Sequence, residues 1–469
     1  MDDQSGQTPP PASTAPVPAP YVADSGKKGG LPIKKIISLL IGLAVVVSVI
    51  FVAIFVVLPR LSTKSDEDVT LTYWLTFEDP APFESIAADF HRLNPHIKVN
   101  VEKQDVKALG NYAERLATRI NNKTGPDIIR YHNSWANELR PFLLPLPEEV
   151  VKSTNLDTKF YPVVAADLKK NGAYYGVPIH FDTLALFINT QLFKNVGVDT
   201  YPSTWEDFYP TALKLTVKDS TGKITQSGAA LGTFDNITHA SDILSMLFIQ
   251  NGADINDLAN SEKQASDALD FYTSFAKGDS KVWDDSLDNS TLAFGKGNLA
   301  MYIGYSWDIF QLKAINPNLS FIVMSVPHEQ ERRSSIASYW VEGVSAKTPH
   351  PKEAFEFLQF LASKENMEKL YAQEAKARGF GDLYPRSDLA PLLKDNPLIY
   401  PFVQQGPDAK STIFSSDTHD DANVDALVGY MGDAVRGVIS GSKSPQSAIE
   451  TLVSGVAQKL NPNGATKQQ

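Results

Sequence analysis

The feature that most constrains this chain is residues 36–58, IISLLIGLAVVVSVIFVAIFVVL, a run of 23 residues without a charge. As an α-helix it would reach about 35 Å, against a hydrocarbon core of about 30 Å, so it is expected to cross a membrane once. The run is too long and starts too late for a cleaved signal peptide, and no small-x-small pattern precedes Lys64. Its flanks give a direction. Lys27, Lys28, Lys34 and Lys35 come before it, whereas only Arg60 and Lys64 follow, and Asp66, Glu67 and Asp68 then begin. Positive flanks stay in the cytoplasm. The N-terminus is therefore expected inside and everything after about residue 67 outside, as a single-pass protein of the cell membrane.

The run divides a chain of 469 residues. Residues 1–35 hold seven prolines, six of them between Pro9 and Pro20, and almost no large apolar side chains. Such a segment cannot bury a core and is expected to be a disordered cytoplasmic tail; residues 59–68 would be a short stalk. The remainder is long enough for two domains with cores of their own. The formal net charge is -11 with acidic residues spread along the chain, so no basic face is available for nucleic acid. The sequence has no cysteine. That excludes disulfides, thiol catalysis, cysteine-bound zinc, iron–sulfur clusters and a lipidated N-terminal cysteine.

From Val69 onward the hydrophobic period switches between two and about 3.6 residues. Leu71, Tyr73 and Leu75 alternate; Phe83, Ile86, Ala87, Phe90 and Leu93 fall at helical spacing; Ile97, Val99 and Val101 alternate again. Residues 112–120 then read as helix and 127–131 as a short apolar strand introduced by Gly125-Pro126. Strands alternating with helices predict a parallel α/β sheet, whose ligands sit beyond the carboxyl ends of the strands. That puts residues 76–79 and 132–135 at a candidate site. Residues 172–189 (GAYYGVPIHFDTLALFIN) turn and then run as a strand into a second α/β region with no flexible linker, which predicts a chain crossing between two lobes. Residues 321–326 read as a buried strand, 352–362 as an amphipathic helix and 445–456 as a last helix.

Taken in order, LTYWLTF with FHRLNPHIKVNVE, GPDIIRYHNSWANEL with LLPLPEE, GAYYGVPIHFDTLALFINTQLFKNVGV with YPSTWEDF, FGKGNLAMYIGYSW, VEGVSAKTPHPKEAFEFLQFLASKENMEKLY and YPRSDL resemble the family-1 extracellular solute-binding proteins, the maltose-binding-protein-like receptors of bacterial ABC importers. The resemblance spans residues 69–460. It implies a type II periplasmic-binding fold: two α/β lobes, here preceded by one transmembrane helix, with a ligand cleft that closes by hinge bending. It implies lobe 1 from 69–181 and 325–365, lobe 2 from 182–324 and 366–460, a C-terminal tail at 461–469, and hinges near 179–183, 324–327 and 363–366. The chain departs from the family in anchoring by a helix where a lipidated cysteine is usual.

Sugar sites combine flat aromatic faces with carboxylates and amides that bond hydroxyls. Glu78 and Asp79 end the first strand, where they either meet ligand or start a solvated helix before Pro80. His132 and Trp135 follow the third strand; Trp135 either joins them or staples its helix to the sheet. Asp182, beside His180 on the crossing strand, either faces the cleft or caps a hinge turn. Asp235 follows Gly232 in a possible strand-end loop of the second lobe. Tyr305 and Trp307, in GYSWD, match a Gly-x-Trp turn that faces ligand in the family; Trp340 and Glu342 sit at the VEGVSA stretch; Arg386, in YPRS, resembles a rim position.

No Walker A, G-x-S-x-G, H-E-x-x-H or calcium-loop motif occurs. The expectation is therefore a monomeric receptor with no catalytic residue, cofactor or metal, which captures a sugar or oligosaccharide for ABC permease subunits. A non-sugar solute (polyamine, polyol or ferric ion) and a scaffold without a small ligand are alternatives. So is a glycoside hydrolase pairing Glu78 with Asp182 or Glu342 about 5 to 10 Å apart.

Overall fold

A computed structural model describes residues 47, 68–104, 112–329, 331–416 and 422–460. Apart from Val47 and Asp68, the expected cytoplasmic tail, membrane helix, stalk and C-terminal tail lie outside these residues. Among the described residues no helix is long and apolar enough to cross a membrane.

In chain order the strands that build the two main sheets and their crossing are β1 (Val69–Leu75), β2 (Ile97–Lys103), β3 (Ile128–His132), β4 (Val177–Pro178), β5 (Asp182–Thr183), β6 (Ala185–Asn189), β7 (Val217–Lys218), β8 (Ile224–Ala229), β9 (Leu299–Gly304), β10 (Phe321–Ser325), β11 (Ala337–Ser338) and β12 (Trp340–Val344). The first sheet has the order β2-β1-β3-β12-β4 and the second β10-β6-β9-β8-β7. Both are mixed, where the sequence predicts parallel sheets. β1 runs parallel to β2 and β3, but β12 returns from the second sheet and pairs antiparallel to β3. In the second sheet β8 and β9 are parallel while β6 runs against both β9 and β10.

The two crossings pair with each other. The chain leaves the first sheet after β4 and passes through β5 into β6; it comes back from β10 through β11 into β12. β5 and β11 are antiparallel, with Asp182 opposite Ser338 and Thr183 opposite Ala337. The first expected hinge falls on this pairing. On the return strand the pairing lies at 337–338, C-terminal to the 324–327 where a hinge is expected.

The helices that bear on the site are α1 (Pro80–Leu93), α2 (Tyr112–Asn121), α3 (Ala240–Gln250), α4 (Asp308–Ile315), α5 (Pro351–Leu361), α6 (Lys364–Arg378) and α7 (Ala422–Ile439). α1 starts where it does because the Asp79 carboxylate accepts the Ala81 N–H at 3.1 Å and proline fills the first turn. It buries Phe83, Ile86 and Phe90, one apolar stripe, against the sheet. α6, which the expected boundary at 365 assigns to the second lobe, packs on α1: Lys369 pairs with Asp89, and Gln373 Nε2 donates to Ser85 Oγ at 3.0 Å.

Candidate functional site

Where the strands of both sheets end against the crossing, the chain encloses a cavity of about 330 Å³. Its wall from the first sheet begins with the loop after β1. The Phe77 ring lies 5.2 Å from the Trp340 ring at a tilt of 59°, and Trp340 is backed edge-on by His132 and Trp135, each with ring centroids 5.3 Å away. Phe77, Glu78 and Trp340 line the cavity.

Glu78 is fixed from beneath by buried charge. Arg130, on β3, is fully buried. Its Nε donates to Glu342 Oε1 at 2.7 Å, Tyr73 O–H donates to the same oxygen at 2.8 Å, and another guanidinium nitrogen pairs with Glu78. Burial alone would raise the Glu78 carboxyl, but Arg130, then His180, hold it well below the usual carboxylate range. His180 Nε2 lies 3.3 Å from Glu78 Oε1, and its Nδ1 is 3.9 Å from Asp382 Oδ2. Asp382 in turn accepts from Arg378 at 2.6 Å, which also meets Glu374 at 3.1 Å. His180, Arg378 and Asp382 all line the cavity.

The opposite wall is the turn between β9 and α4. Asp308 Oδ2 accepts the Tyr305 N–H at 3.0 Å and the Tyr302 hydroxyl at 2.7 Å, and stands 2.9 Å from His239 Nε2. Gly304 is required because a Cβ there would collide with that carboxylate. Held this way, Tyr305 and Trp307 stack with centroids 4.3 Å apart and 15° between planes, Tyr305 buried and Trp307 presented to the cavity. Asp182 ties the turn to the crossing strand: Ser306 N–H and Oγ donate to its Oδ2 at 2.9 and 2.5 Å, and Thr183 N–H to its Oδ1 at 2.8 Å.

Of the candidates read from sequence, Glu78, Asp182, Trp307 and Trp340 border the cavity, and Tyr305 stacks behind Trp307. The others lie elsewhere. Asp79 spends its carboxylate capping α1 and is exposed. His132 is 1% exposed and bridges Ser134 Oγ at 2.8 Å and Ser338 Oγ at 2.9 Å, one layer behind Trp340. Trp135 staples its short helix to the sheet, buried against Tyr112 and Trp340. Glu342 is walled into the core by Arg130 and Tyr73. Asp235 pairs on the surface with Arg436 of α7 at 2.6 Å. Arg386 is no rim residue: it is buried over Phe160, donating to Thr154 O at 2.6 Å and to Asp388 at 3.0 Å.

Sequence reasoning did not select Phe77, Arg378 or Asp382, and it noted His180 only as the neighbour of Asp182. Glu374, Arg378 and Asp382 do stand at steps of four, but that spacing is also the mark of a solvated helix face. The ligand atoms of Glu78, His180 and Asp382 lie within 4.8 Å of one another, close enough to hold a metal ion. One oxygen of each carboxylate is engaged by a guanidinium, Glu78 Oε2 by Arg130 and Asp382 Oδ1 by Arg378, which leaves Glu78 Oε1 and Asp382 Oδ2 toward His180. What the arrangement offers is acceptors for hydroxyl or ammonium donors between aromatic faces.

A profile of the bacterial extracellular solute-binding proteins matches residues 76–368. The multiple sugar-binding protein of Streptococcus mutans is 24% identical over 332 residues, covering 66% of this chain and 75% of its own. The sn-glycerol-3-phosphate-binding periplasmic protein UgpB of Yersinia enterocolitica is 24% identical over 382 residues, 74% of this chain and 82% of its own. Among solved structures, a cyclo/maltodextrin-binding protein complexed with maltotetraose superimposes with a TM-score of 0.69 at 19% identity, covering 86% of this chain and 100% of its own. The sugar-binding protein MalE of Xanthomonas citri has the same TM-score and identity. At that identity the structures establish a common α/β periplasmic-binding fold. With the profile covering more than half of its length and the two sheets joined as that fold requires, the chain belongs to the bacterial extracellular solute-binding proteins.

Proposed function

We propose that this protein is the sugar receptor of an ABC importer, held at the outer face of the membrane by residues 36–58 and closing its two lobes on a sugar or oligosaccharide that it hands to permease subunits. The observation that carries the reading is the pairing of aromatic faces across the cavity, Trp340 with Phe77 on one side and Trp307 on the other, around the hydrogen-bonding groups of Glu78, His180 and Asp382. Flat apolar faces suit the C–H side of a pyranose, and fixed acceptors suit its hydroxyls. Specificity follows from the same groups, because a ligand lacking a hydroxyl leaves a buried acceptor unpaired. Asp182 and the β5–β11 pairing would serve as the hinge about which the lobes move.

A hydrolytic role would need one protonated and one ionised carboxyl flanking the sugar. Glu342 has no path to the cavity past Arg130, and Asp182 has its oxygens occupied by Ser306 and Thr183. The test is a thermal-shift screen with mono-, di- and oligosaccharides and polyols, followed by analysis of the recovered ligand. A ligand at 100 times its Kd adds about 2.7 kcal/mol. A saturable shift by a sugar that is returned intact is the expected result. Release of reducing ends would replace the reading with a hydrolase, and no shift with any sugar would remove it.

A further inference from the structure

Two arginines and four carboxylates meet beneath one side of the cavity. Arg130 is shared by Glu342 and Glu78, Arg378 by Glu374 and Asp382, and His180 stands between the two sets. Burial raises the carboxyls of both Glu374, to about 7, and Glu342. Four carboxyl groups thus stand against two guanidiniums and one imidazole. His180 is 7% exposed, with Nε2 3.3 Å from Glu78 Oε1 and Nδ1 3.9 Å from Asp382 Oδ2. His180, Glu78 and Asp382 all line the cavity. A neutral sugar would leave this excess of carboxyl groups uncompensated as the cleft closes and water leaves. A cation would meet it, and the aromatic faces of Trp340, Phe77 and Trp307 also attract positive charge.

Resting on the sugar-receptor reading, we infer that the ligand is an amino sugar whose protonated amine sits against Glu78, His180 and Asp382 while its ring lies between Trp340 and Trp307. The full chain, held in lipid nanodiscs at pH 7.5, is titrated calorimetrically with D-glucosamine and its β-1,4-linked disaccharide, with their N-acetyl counterparts, with glucose and cellobiose, and with spermidine. The amino sugars bind at least tenfold tighter than the matching N-acetyl and neutral sugars. That ratio shrinks as salt is raised from about 20 to about 300 mM, since part of the attraction is screened, and shrinks again in the Asp382→Asn variant. If that variant does not fold, the salt series on the unaltered protein decides. Neutral or N-acetyl sugars binding as tightly as the amino sugars overturns the inference and leaves the sugar receptor standing. Spermidine binding alone, or no binding by any probe, overturns both.

Discussion

The two walls of the cavity come from different sheets and are stiffened by different chemistry. Behind Phe77, Glu78 and Trp340 the first sheet buries a guanidinium between two carboxylates, with Tyr73 closing the group. Behind Trp307 the second sheet uses one carboxylate, Asp308, which gathers a main-chain N–H, the Tyr302 hydroxyl and His239 without any arginine. A charge buried with its counter-charge is strongly held and intolerant of losing a partner. A carboxylate with several donors keeps most of its satisfaction when one is removed. The first wall should therefore be rigid and brittle, and the second tolerant.

The largest expected effect tests that contrast directly. Arg130→Met strands Glu342 and Glu78 without their cation and should lower unfolding stability by about 3–5 kcal/mol, read as a shift of the urea midpoint at unchanged m. His239→Asn should lower it by only about 1–3 kcal/mol. Equal losses from the two variants would abolish the distinction between the walls. Next in size is an effect on binding. Trp307→Ala removes the face that the second wall presents, and should weaken ligand binding by about 2 kcal/mol, roughly thirtyfold. Because Tyr305 and Asp308 remain to hold the turn, the melting temperature of the unliganded protein should move far less. A Trp307→Ala protein that binds as well as its parent would mean that the first wall alone carries the ligand.

How much of this was legible depends on the range of the interaction. The strand–helix–strand start and the crossing after Val177 are local patterns that stand where periodicity and turn residues put them, and the GYSWD turn stands where the family resemblance put it. Arg130 sits in an apolar strand, and nothing near it in sequence says that Glu342, 212 residues away, is its partner. Trp135 and Trp340 illustrate the same limit. Both follow or begin a strand of the first sheet, yet one is buried behind the other, and only the register that sets Trp340 opposite His132 decides which faces the cavity. Arg386 looked like a rim residue by its motif; its real neighbours, Thr154 and Phe160, come from a segment more than 200 residues earlier.

The brittleness of the first wall has a pH component in the layer behind Trp340. The Ser134 N–H donates to His132 Nδ1 at 3.2 Å, so Nδ1 is the acceptor and Nε2–H donates to Ser338, an arrangement that only the neutral ring can make. Burial lowers this imidazole from 6.5 to about 3. A group depressed on folding stabilises above its unfolded pKa and loses that contribution as pH falls through 6.5 toward 3. By pH 5 the loss should be about 2 kcal/mol. Melting temperatures measured between pH 7.5 and 5 should fall, and fall less steeply in His132→Gln. Identical slopes would assign the acid sensitivity to other groups.

The smallest effect is expected at Asp235, which lies on the second sheet's side yet outside both walls. Among the described residues its ion-pair partner is Arg436, and the two side chains are 65% and 46% exposed. Exposed pairs contribute little because water and salt screen them and two long side chains must be held still, so Asp235→Asn should change stability by roughly 0.5 kcal/mol or less. Ligand affinity should not change at all, measured in the same titration that reports the loss in Trp307→Ala. If affinity did fall, the loop after Gly232 would have to reach the ligand on closure, and the second wall would extend beyond the GYSWD turn to include it.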